Sequence, residues 1–383
     1  MTEVSAEDIC VAAANGGVLD CHRDGGRGRV SASVLRRLCA QSPEGVDARG
    51  IQLRGAEIVG ALDLRGLVIA HPVHLEDCFM AEAPLLNGAQ LPALSVLDCH
   101  LPGIIANGLK VAGDLDLSGS TISGVHKTSA STSKRAAVWL CESLIGGRLL
   151  CVNTKIYAPG ERAIQADGMQ VSGTVRLLHD FEAHGEIRLL GVRIDGSLDL
   201  TGAHLSDPLD GLALDLGHAS IGGSVFLIPS QNGRRPEIRG RIDMGSAHVS
   251  GQLVIRAATL EAVADKVTGG GYSTLRRGGS ALNGPQLFVG GDVTFEDDCD
   301  VVGGIDLSLS EVGTVWLHGE CRLTAPGGVA LDMTNAELRS SLTCMPGLIA
   351  KGTLQLSGTH VHGHLSLRGT TWSKPESQSL IAA

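Results

Sequence analysis

Three histidines near the C-terminus, His360, His362 and His364, are the residues whose type and spacing best suit metal binding. Imidazole nitrogens are common metal ligands, and alternation along one strand would point all three side chains the same way. The repeat described below predicts an inward Val361, however, so the three histidines should face solvent. We therefore predict no metal ligand among them.

Carboxylates occur in two patterns. The run Glu296-Asp297-Asp298 could hold a cation together with Asp300, but such a run is more typical of a solvated corner. Other aspartates occupy the centre of short apolar triplets: Asp63, Asp116, Asp199, Asp215, Asp306 and Asp332. We predict that these side chains face outward and keep the protein soluble. The alternative is an acidic surface that mimics DNA.

The ten cysteines are scattered, without Cys-x-x-Cys pairs. The first residues carry acidic side chains rather than a basic start, so no secretory signal is expected and the thiols should be reduced. Four cysteines occupy apolar repeat positions: Cys78, Cys99, Cys151 and Cys344. Cysteine packs well as a small core residue, so we predict a packing role for them.

Motifs for catalysis or cofactor binding do not occur in their required contexts. The chain has no phosphate-binding loop, no Gly-x-Ser-x-Gly and no His-Glu-x-x-His, and Gly269-Gly270-Gly271 predicts a flexible loop. Nicotinamide or flavin chemistry would require a binding fold for the cofactor. We therefore predict no cofactor, no catalytic residue and no cofactor-binding residue, and we lean against an enzyme.

Composition excludes several classes of protein. The 383 residues are 43% hydrophobic but only 3% aromatic, which is low for the core of a globular enzyme. The 52 glycines lack a collagen period, and the apolar content is too high for disorder. The net charge of −10 argues against overall attraction to nucleic acid or anionic lipid. No apolar stretch of about 20 residues predicts a membrane span.

A regular apolar repeat dominates the chain from Ile51 onward. Apolar residues alternate at spacings of five and six: Leu53, Ile58, Leu64, Ile69, Leu75, Met80, Leu86, Leu91 and Leu97. A second inward set precedes each by two residues: Ile51, Ala56, Leu62, Leu67, Val73, Cys78, Pro84, Ala89 and Ser95. These spacings exclude a helix and predict a coil of about 22 residues with four faces. A three-faced coil of about 17 residues is the structural alternative.

A seven-residue motif recurs through the repeat: apolar, any, Gly, any, apolar, any, apolar. It occurs at Ile58–Leu64, Val111–Leu117, Ile145–Cys151, Val171–Leu177, Ile194–Leu200, Ile221–Leu227, Val249–Ile255, Val289–Phe295, Val301–Leu307 and Val361–Leu367. We interpret the glycine as a corner residue that adopts a positive φ, which is easy without a Cβ.

The repeat resembles that of pentapeptide-repeat proteins, stretched to alternating steps of five and six. Two adjoining phrases, 185–196 and 197–203, reading GEIRLLGVRIDG and SLDLTGA, resemble bacterial repeat proteins often labelled oxidoreductase or membrane-associated oxidoreductase. This resemblance covers most of the chain. The shorter Val-x-Gly-x-Leu rhythm is similar to that of bactofilins. The resemblance implies a β-helix, and its label implies an enzyme.

The repeat and its ends define three segments. Residues 1–46 are predicted to form a helical N-terminal cap, with one helix after Ser5 and a second that starts at Ser31 or Ser33. Residues 47–372 form the repeat domain, and 373–383 are a frayed tail. The predicted fold class is an all-β solenoid, a right-handed parallel, quadrilateral β-helix with a short helical cap.

Six segments interrupt the regular spacing: 117–140, 151–166, 200–216, 227–244, 255–284 and 317–333. Each falls in the same half of its coil, so all six should leave the rod along one side. Together they carry a net charge of +4, while the remaining chain carries −14. The predicted partner-binding edge contains Lys127, Lys134, Arg135, Lys155, Arg234, Arg235, Arg276 and Arg277.

We expect a non-catalytic scaffold or binding protein that presents this basic edge to a membrane surface, a nucleic acid or an acidic protein. One alternative is a membrane-associated oxidoreductase, as the resemblance implies. Another is a DNA mimic that acts on a topoisomerase. We expect a cytoplasmic location, with peripheral attachment to a membrane as an alternative, and self-association through the coil ends.

Overall fold

Four flat faces joined by tight corners form the walls of the protein. The computed structural model describes residues 3–23, 26–41, 45–127, 135–263, 279–373 and 379–382. Within these residues, each coil pairs in parallel with the coils before and after it on every face. We number the faces I to IV in the order in which each coil visits them. The chain is therefore a parallel β-helix solenoid, and it has four faces rather than three.

Each face is a ladder of short strands. Face I has fourteen strands among the described residues: Leu19–Asp20, Ile51–Arg54, Val73–Glu76, Leu94–Leu97, Leu115–Asp116, Leu149–Leu150, Val175–Arg176, Leu198–Asp199, Val225–Leu227, Leu253–Arg256, Val293–Glu296, Val315–Leu317, Leu342–Cys344 and Leu365–Ser366. Face II contains Gly26–Ser31, Ala56–Val59, Phe79–Met80, His100–Leu101, Thr121–Ser123, His204–Ser206, Glu237–Arg239, Thr259–Glu261, Asp300–Val302 and Thr371–Ser373. At about 4.8 Å per strand, face I makes a rod about 60 Å long.

The other faces complete each coil. Four strands bend through the corner and serve both faces II and III: Lys155–Gln165, Glu182–Arg188, Arg322–Asp332 and Ile349–Gln355. Face III also contains Ile104–Ile105, Ala136–Trp139, Leu212–Asp215, Arg241–Asp243, Ser280–Asn283, Gly304–Asp306 and Leu380–Ile381. Face IV contains Gln90–Leu91, Lys110–Val111, Leu144–Ile145, Gln170–Val171, Arg193–Ile194, Ser220–Ile221, His248–Val249, Phe288–Val289, Glu311–Val312, Glu337–Leu338 and His360–Val361.

The apolar repeat positions form the core, because parallel pairing in register stacks them along the rod. Nearly all of the predicted inward residues are buried, including the four cysteines, which are free thiols. The prediction is wrong at Ser95 and Leu97, which face outward while Leu94 and Val96 are buried. The cause is a coil one residue shorter than the coil before it, which shifts the inward positions by one.

The triplet aspartates close the corners that follow them. Each accepts a hydrogen bond at Oδ1 from the backbone N–H two residues later, at 2.9–3.1 Å, and this holds for Asp63, Asp116, Asp199, Asp215, Asp306 and Asp332. This contact is an Asx turn, which sets the direction of the chain. The expectation that these side chains only provide solubility is therefore wrong, and Asp215 and Asp332 are themselves buried.

Close approach between coils explains most of the motif glycines. Of the ten, only Gly60 and Gly303 have a positive φ, at 87° and 122°, so the predicted reason is wrong for the other eight. Most of these lie at the corner between faces IV and I, where glycines of successive coils meet. A Cβ on Gly251 would lie 2.7 Å from the carbonyl oxygen of Gly223 in the preceding coil. The glycine is required because a side chain would collide with backbone.

We expect Gly251→Ala to lower the free energy of unfolding by roughly 2 kcal/mol, because backbone must move to accommodate the methyl group. Equilibrium denaturation monitored by circular dichroism measures the loss. Gly279→Ala is the matched control, because a Cβ there meets no atom of the described residues within 4 Å and Gly279 has no positive φ. Equal losses in the two variants would contradict the steric explanation.

The N-terminal cap mixes helices with strands. Helix α1 spans Ala6–Ala14 and has Ser5 as its N-cap, whose side chain accepts a hydrogen bond from the Asp8 backbone at 3.1 Å. Helix α2 spans Ala32–Gln41. Both helices were predicted, but strands Leu19–Asp20 and Gly26–Ser31 also pair with the first full coil. In the predicted tail, Leu380–Ile381 forms a strand paired with Ile349–Gln355.

Candidate interaction edge

The insertions mark two corners of the rod. Five of them, 124–135, 158–161, 207–211, 262–279 and 325–328, lie between the strands of face II and those of face III. The sixth, 228–236, lies between faces I and II. The prediction that all six leave along one side is thus right for five and wrong for the sixth. We call the corner between faces II and III the insertion edge.

Two of the predicted basic residues are paired with carboxylates, Arg135 at the insertion edge and Lys155 at the start of a face II strand, on the side of face I. Arg135 donates two hydrogen bonds to Glu161, at 2.9 and 2.7 Å, and so joins two insertions. Lys155 lies 3.6 Å from Glu182 of the next coil. Lys127 is exposed at the end of a described stretch. Lys134, Arg276 and Arg277 lie outside the described residues.

Arg234 and Arg235 act as a clamp on the other corner. Arg234 donates to Asp180 at 2.7 Å and to Glu182 at 2.9 Å, both in the coil two turns earlier. Arg235 donates to the Ala257 carbonyl at 2.5 Å and to the Asp298 carboxylate at 2.9 Å, in later coils. Because one short insertion holds coils on both sides of it, these guanidinium groups fasten the rod. They do not belong to the insertion edge.

A polar cluster that the sequence did not predict lies on the insertion edge. His184 Nδ1 is 3.0 Å from Asp207 Oδ2 and 2.9 Å from Ser206 Oγ, and its ring stacks on Tyr157 at 4.8 Å. The hydrogen bond with His184 holds the pKa of Asp207 below its ordinary value. A Ser-His-Asp triad needs serine and aspartate on opposite ring nitrogens, and here both contact Nδ1. The cluster therefore orients an imidazole without activating the serine.

A buried ion network supports the insertion edge from face III. Arg162 Nε donates to Glu186 at 3.0 Å, and Arg188 contacts Asp167 at 3.0 Å and Asp215 at 2.6 Å. Only 3% of the Glu186 side chain is exposed. Burial raises the pKa of Glu186 above its ordinary value, and the positive charge of Arg162 opposes that rise. The network ties together three successive coils beneath the insertions.

The three histidines do not share a strand. The strand ends at Val361 and the chain turns at His362 and Gly363, so His364 belongs to the next face. All three are exposed, as predicted, and His362 contacts Glu337 at 3.2 Å. Among the described residues, no group of three or more His, Cys, Asp or Glu side chains is arranged to hold a metal ion. The predicted acidic run is paired instead, with Glu296 bonded to Arg256.

A shallow groove of about 600 Å³ runs along face IV beside the corner with face I. Val68, Gln90, Lys110, Leu144 and Gln170 project beside it from successive coils. Among the described residues, Lys110 is the one charged residue that lines the groove, so this lining lacks the pair of titratable groups that acid–base catalysis uses. We assign no catalytic role to this groove.

Comparisons with known proteins add no family or relative to this description of the fold and the insertion edge. Neither α1 nor α2 has the length and apolar composition needed to cross a bilayer, and no other helix occurs among the described residues. No protein-family model, curated protein or solved structure matches the chain.

Proposed function

We propose that this protein is a non-catalytic β-helical scaffold that binds a macromolecular partner through the insertion edge. The observation that carries the proposal is the placement of five insertions at one corner of an otherwise tightly turned rod. Loops held on a rigid frame are where binding surfaces usually lie, and solenoids commonly gather their insertions on one side. The ion network and the Arg135–Glu161 bridge hold part of that corner in place.

The two alternatives have less support. The oxidoreductase reading rests on the label of the proteins that the chain resembles, and nothing in the described residues favours it. A DNA mimic needs an exposed row of carboxylates. On face III, however, Asp215 and Asp332 are buried, and the Oδ1 atom of each already accepts a backbone hydrogen bond in the following turn. The triplet aspartates therefore make a poor substitute for a phosphate backbone.

An anionic partner fits the charge of the insertion segments. The five insertions at the insertion edge carry a net charge of +2, while the remaining chain carries −12. Arg135 and Lys155 are neutralised by their carboxylate partners, so they contribute little to attraction at a distance. The basic residues to test are accordingly Lys127, which is exposed, and three that lie outside the described residues: Lys134, Arg276 and Arg277. Arg234 and Arg235 are left unchanged, because their loss would loosen the rod.

We expect the change of Lys127, Lys134, Arg276 and Arg277 to Ser to weaken binding of an anionic probe by at least about tenfold at low salt, since each lysine or arginine near an anionic surface contributes about 1 kcal/mol. The probes are vesicles containing phosphatidylserine, duplex DNA and a polyglutamate peptide. Sedimentation with vesicles and fluorescence anisotropy with the other two measure binding. The probe that binds tightest identifies the class of partner.

A matched control removes four exposed positive charges from the other faces. Lys110 and Arg193 lie on face IV, Arg176 lies on face I, and Arg368 lies in the turn after the last face I strand. Their combined change to Ser should leave binding unchanged, although the net charge falls equally. Equal binding by the two quadruple variants, or a parent protein that binds none of the three probes, would refute an anionic partner at the insertion edge.

A further inference from the structure

A row of outward side chains follows the side of face II that borders the insertion edge. Its members come from successive coils and lie in register: Ser123, Tyr157, His184, Ser206 and Arg239. We call them the edge row. Parallel strands stack about 4.8 Å apart, so neighbouring side chains of the edge row lie close enough to contact one another along the rod.

Tyr157 and His184 form a stacked aromatic pair within the edge row. Their ring centroids lie 4.8 Å apart and their planes differ by 12°. The His184 ring is oriented by the contacts of its Nδ1 with Asp207 and Ser206. Tyr157 is 38% exposed, and the residue before it in the row, Ser123, is small and exposed. The edge row therefore leaves uncovered the face of the Tyr157 ring that points away from His184.

We propose that the edge row binds an unpaired base of a single-stranded nucleic acid, which stacks on the open face of Tyr157 above Ser123. This inference rests on the proposed function of the insertion edge and names its partner. Every nucleobase has a planar π face, and aromatic side chains bind single strands by stacking on such faces. The bases of a duplex are already stacked on one another, so a duplex would leave the open face of Tyr157 unused.

The charges around the aromatic pair are those that a phosphate backbone requires. Lys127 is exposed in the insertion that follows the first residue of the edge row, and 64% of the Arg239 side chain is exposed at the other end of the row. Two nearby carboxylates are already engaged, Glu161 by Arg135 and Asp207 by the imidazole of the pair. A phosphatidylserine surface or a polyglutamate chain would match the positive charges, but neither supplies a ring to stack.

Fluorescence anisotropy at low salt with two labelled strands of about 12 nucleotides tests the stacked base. One strand is oligothymidine, and the other has the same sugar–phosphate chain without bases. We expect the parent protein, as the full chain, to bind the strand with bases at least about fivefold more tightly. Tyr157→Ala should abolish this preference by weakening binding of that strand alone. Tyr157→Phe keeps the ring and should keep the preference, and circular dichroism shows whether both variants are folded.

A matched control removes a stacked ring elsewhere on the rod. His248 stacks on Phe288 at 4.3 Å on face IV, away from the insertion edge. His248→Ala should leave the binding of both strands unchanged. The proposal is overturned if the parent binds the two strands equally, if Tyr157→Ala keeps the preference for bases, or if His248→Ala loses it. Tighter binding of phosphatidylserine vesicles or polyglutamate than of oligothymidine would also overturn it.

The change of Lys127, Lys134, Arg276 and Arg277 to Ser separates this inference from the proposed function. If that variant loses affinity for both strands and Tyr157→Ala loses only the preference for bases, both proposals are supported. If the variant loses affinity but the parent shows no preference for bases, the insertion edge binds a polyanion and the stacked base alone is refuted. A parent that binds neither strand would refute both.

Discussion

Leu200→Asp is expected to prevent folding. Leu200 has no exposed surface and lies between Leu177 and Leu227, which occupy the same position in the adjacent coils. An aspartate there would bury a charge, or a neutral carboxyl group with a strongly raised pKa, among apolar side chains. The cost of more than about 5 kcal/mol equals the whole stability of many domains. Soluble expression and the β signal in circular dichroism should both be lost.

The neighbouring residue supplies the control. Asp199 faces outward and accepts hydrogen bonds from the backbone and hydroxyl of Thr201, at 3.1 and 2.5 Å. Asn keeps the accepting oxygen, so Asp199→Asn should change the free energy of unfolding by less than about 0.5 kcal/mol. Similar losses of folding stability in Leu200→Asp and Asp199→Asn would mean that the inward and outward positions have been assigned wrongly.

Arg162→Ala is expected to lower the free energy of unfolding by roughly 3 kcal/mol, because it removes one partner of a buried ion pair and leaves Glu186 with an uncompensated charge. Arg188, the nearest remaining cation, lies 3.8 Å from Glu186. The raised pKa of Glu186 determines how the loss of stability caused by Arg162→Ala depends on pH. A carboxyl group whose folded pKa is raised destabilises the fold above that pKa, so the loss should shrink as the pH falls toward the ordinary value for Glu.

A second substitution, at Glu186, should restore part of the stability that Arg162→Ala removes. Glu186→Gln in the Arg162→Ala background removes the unpaired charge and should restore more than half of the loss at neutral pH. Arg193→Ala is the control for an exposed pair, since Arg193 contacts Asp195 at 3.0 Å near the surface. It should cost less than about 1 kcal/mol. A loss at Arg162 that is the same at all pH values and is not rescued would point to packing rather than charge.

The periodicity of the apolar residues was enough to predict the solenoid and its buried positions, because one-dimensional stacking repeats the same local rule in every coil. The two N-terminal helices could also be predicted from nearby residues, because each follows a serine that can serve as its N-cap. The errors lie where local rules do not decide the result. One coil is a residue shorter than the coil before it, which shifts the inward positions at Leu97. The motif glycines are required by the backbone of the adjacent coil, as Gly251 is by Gly223.

The polar contacts at the corners could not be predicted, because they depend on the register between coils of unequal length. Arg234 and Asp180 are 54 residues apart, and Arg235 and Asp298 are 63 apart. Insertions of different sizes separate them, so no fixed spacing marks the pairs. The prediction of a basic edge counted charges along the chain. The structure shows Arg234 and Arg235 engaged with carboxylates on a different corner.

The hydrogen bonds along the two corners that border face IV also have an electrical consequence. Beside face I, the N–H of each later coil points to a carbonyl of the earlier one, as from Gly251 to Gly223. Beside face III the sense is reversed, as from Gly88 to Asn107. Each corner is thus a line of aligned peptide dipoles, comparable to the axis of a helix, and the two lines oppose each other. Their axial dipoles tend to cancel, while face IV lies between two edges of opposite polarity along the rod.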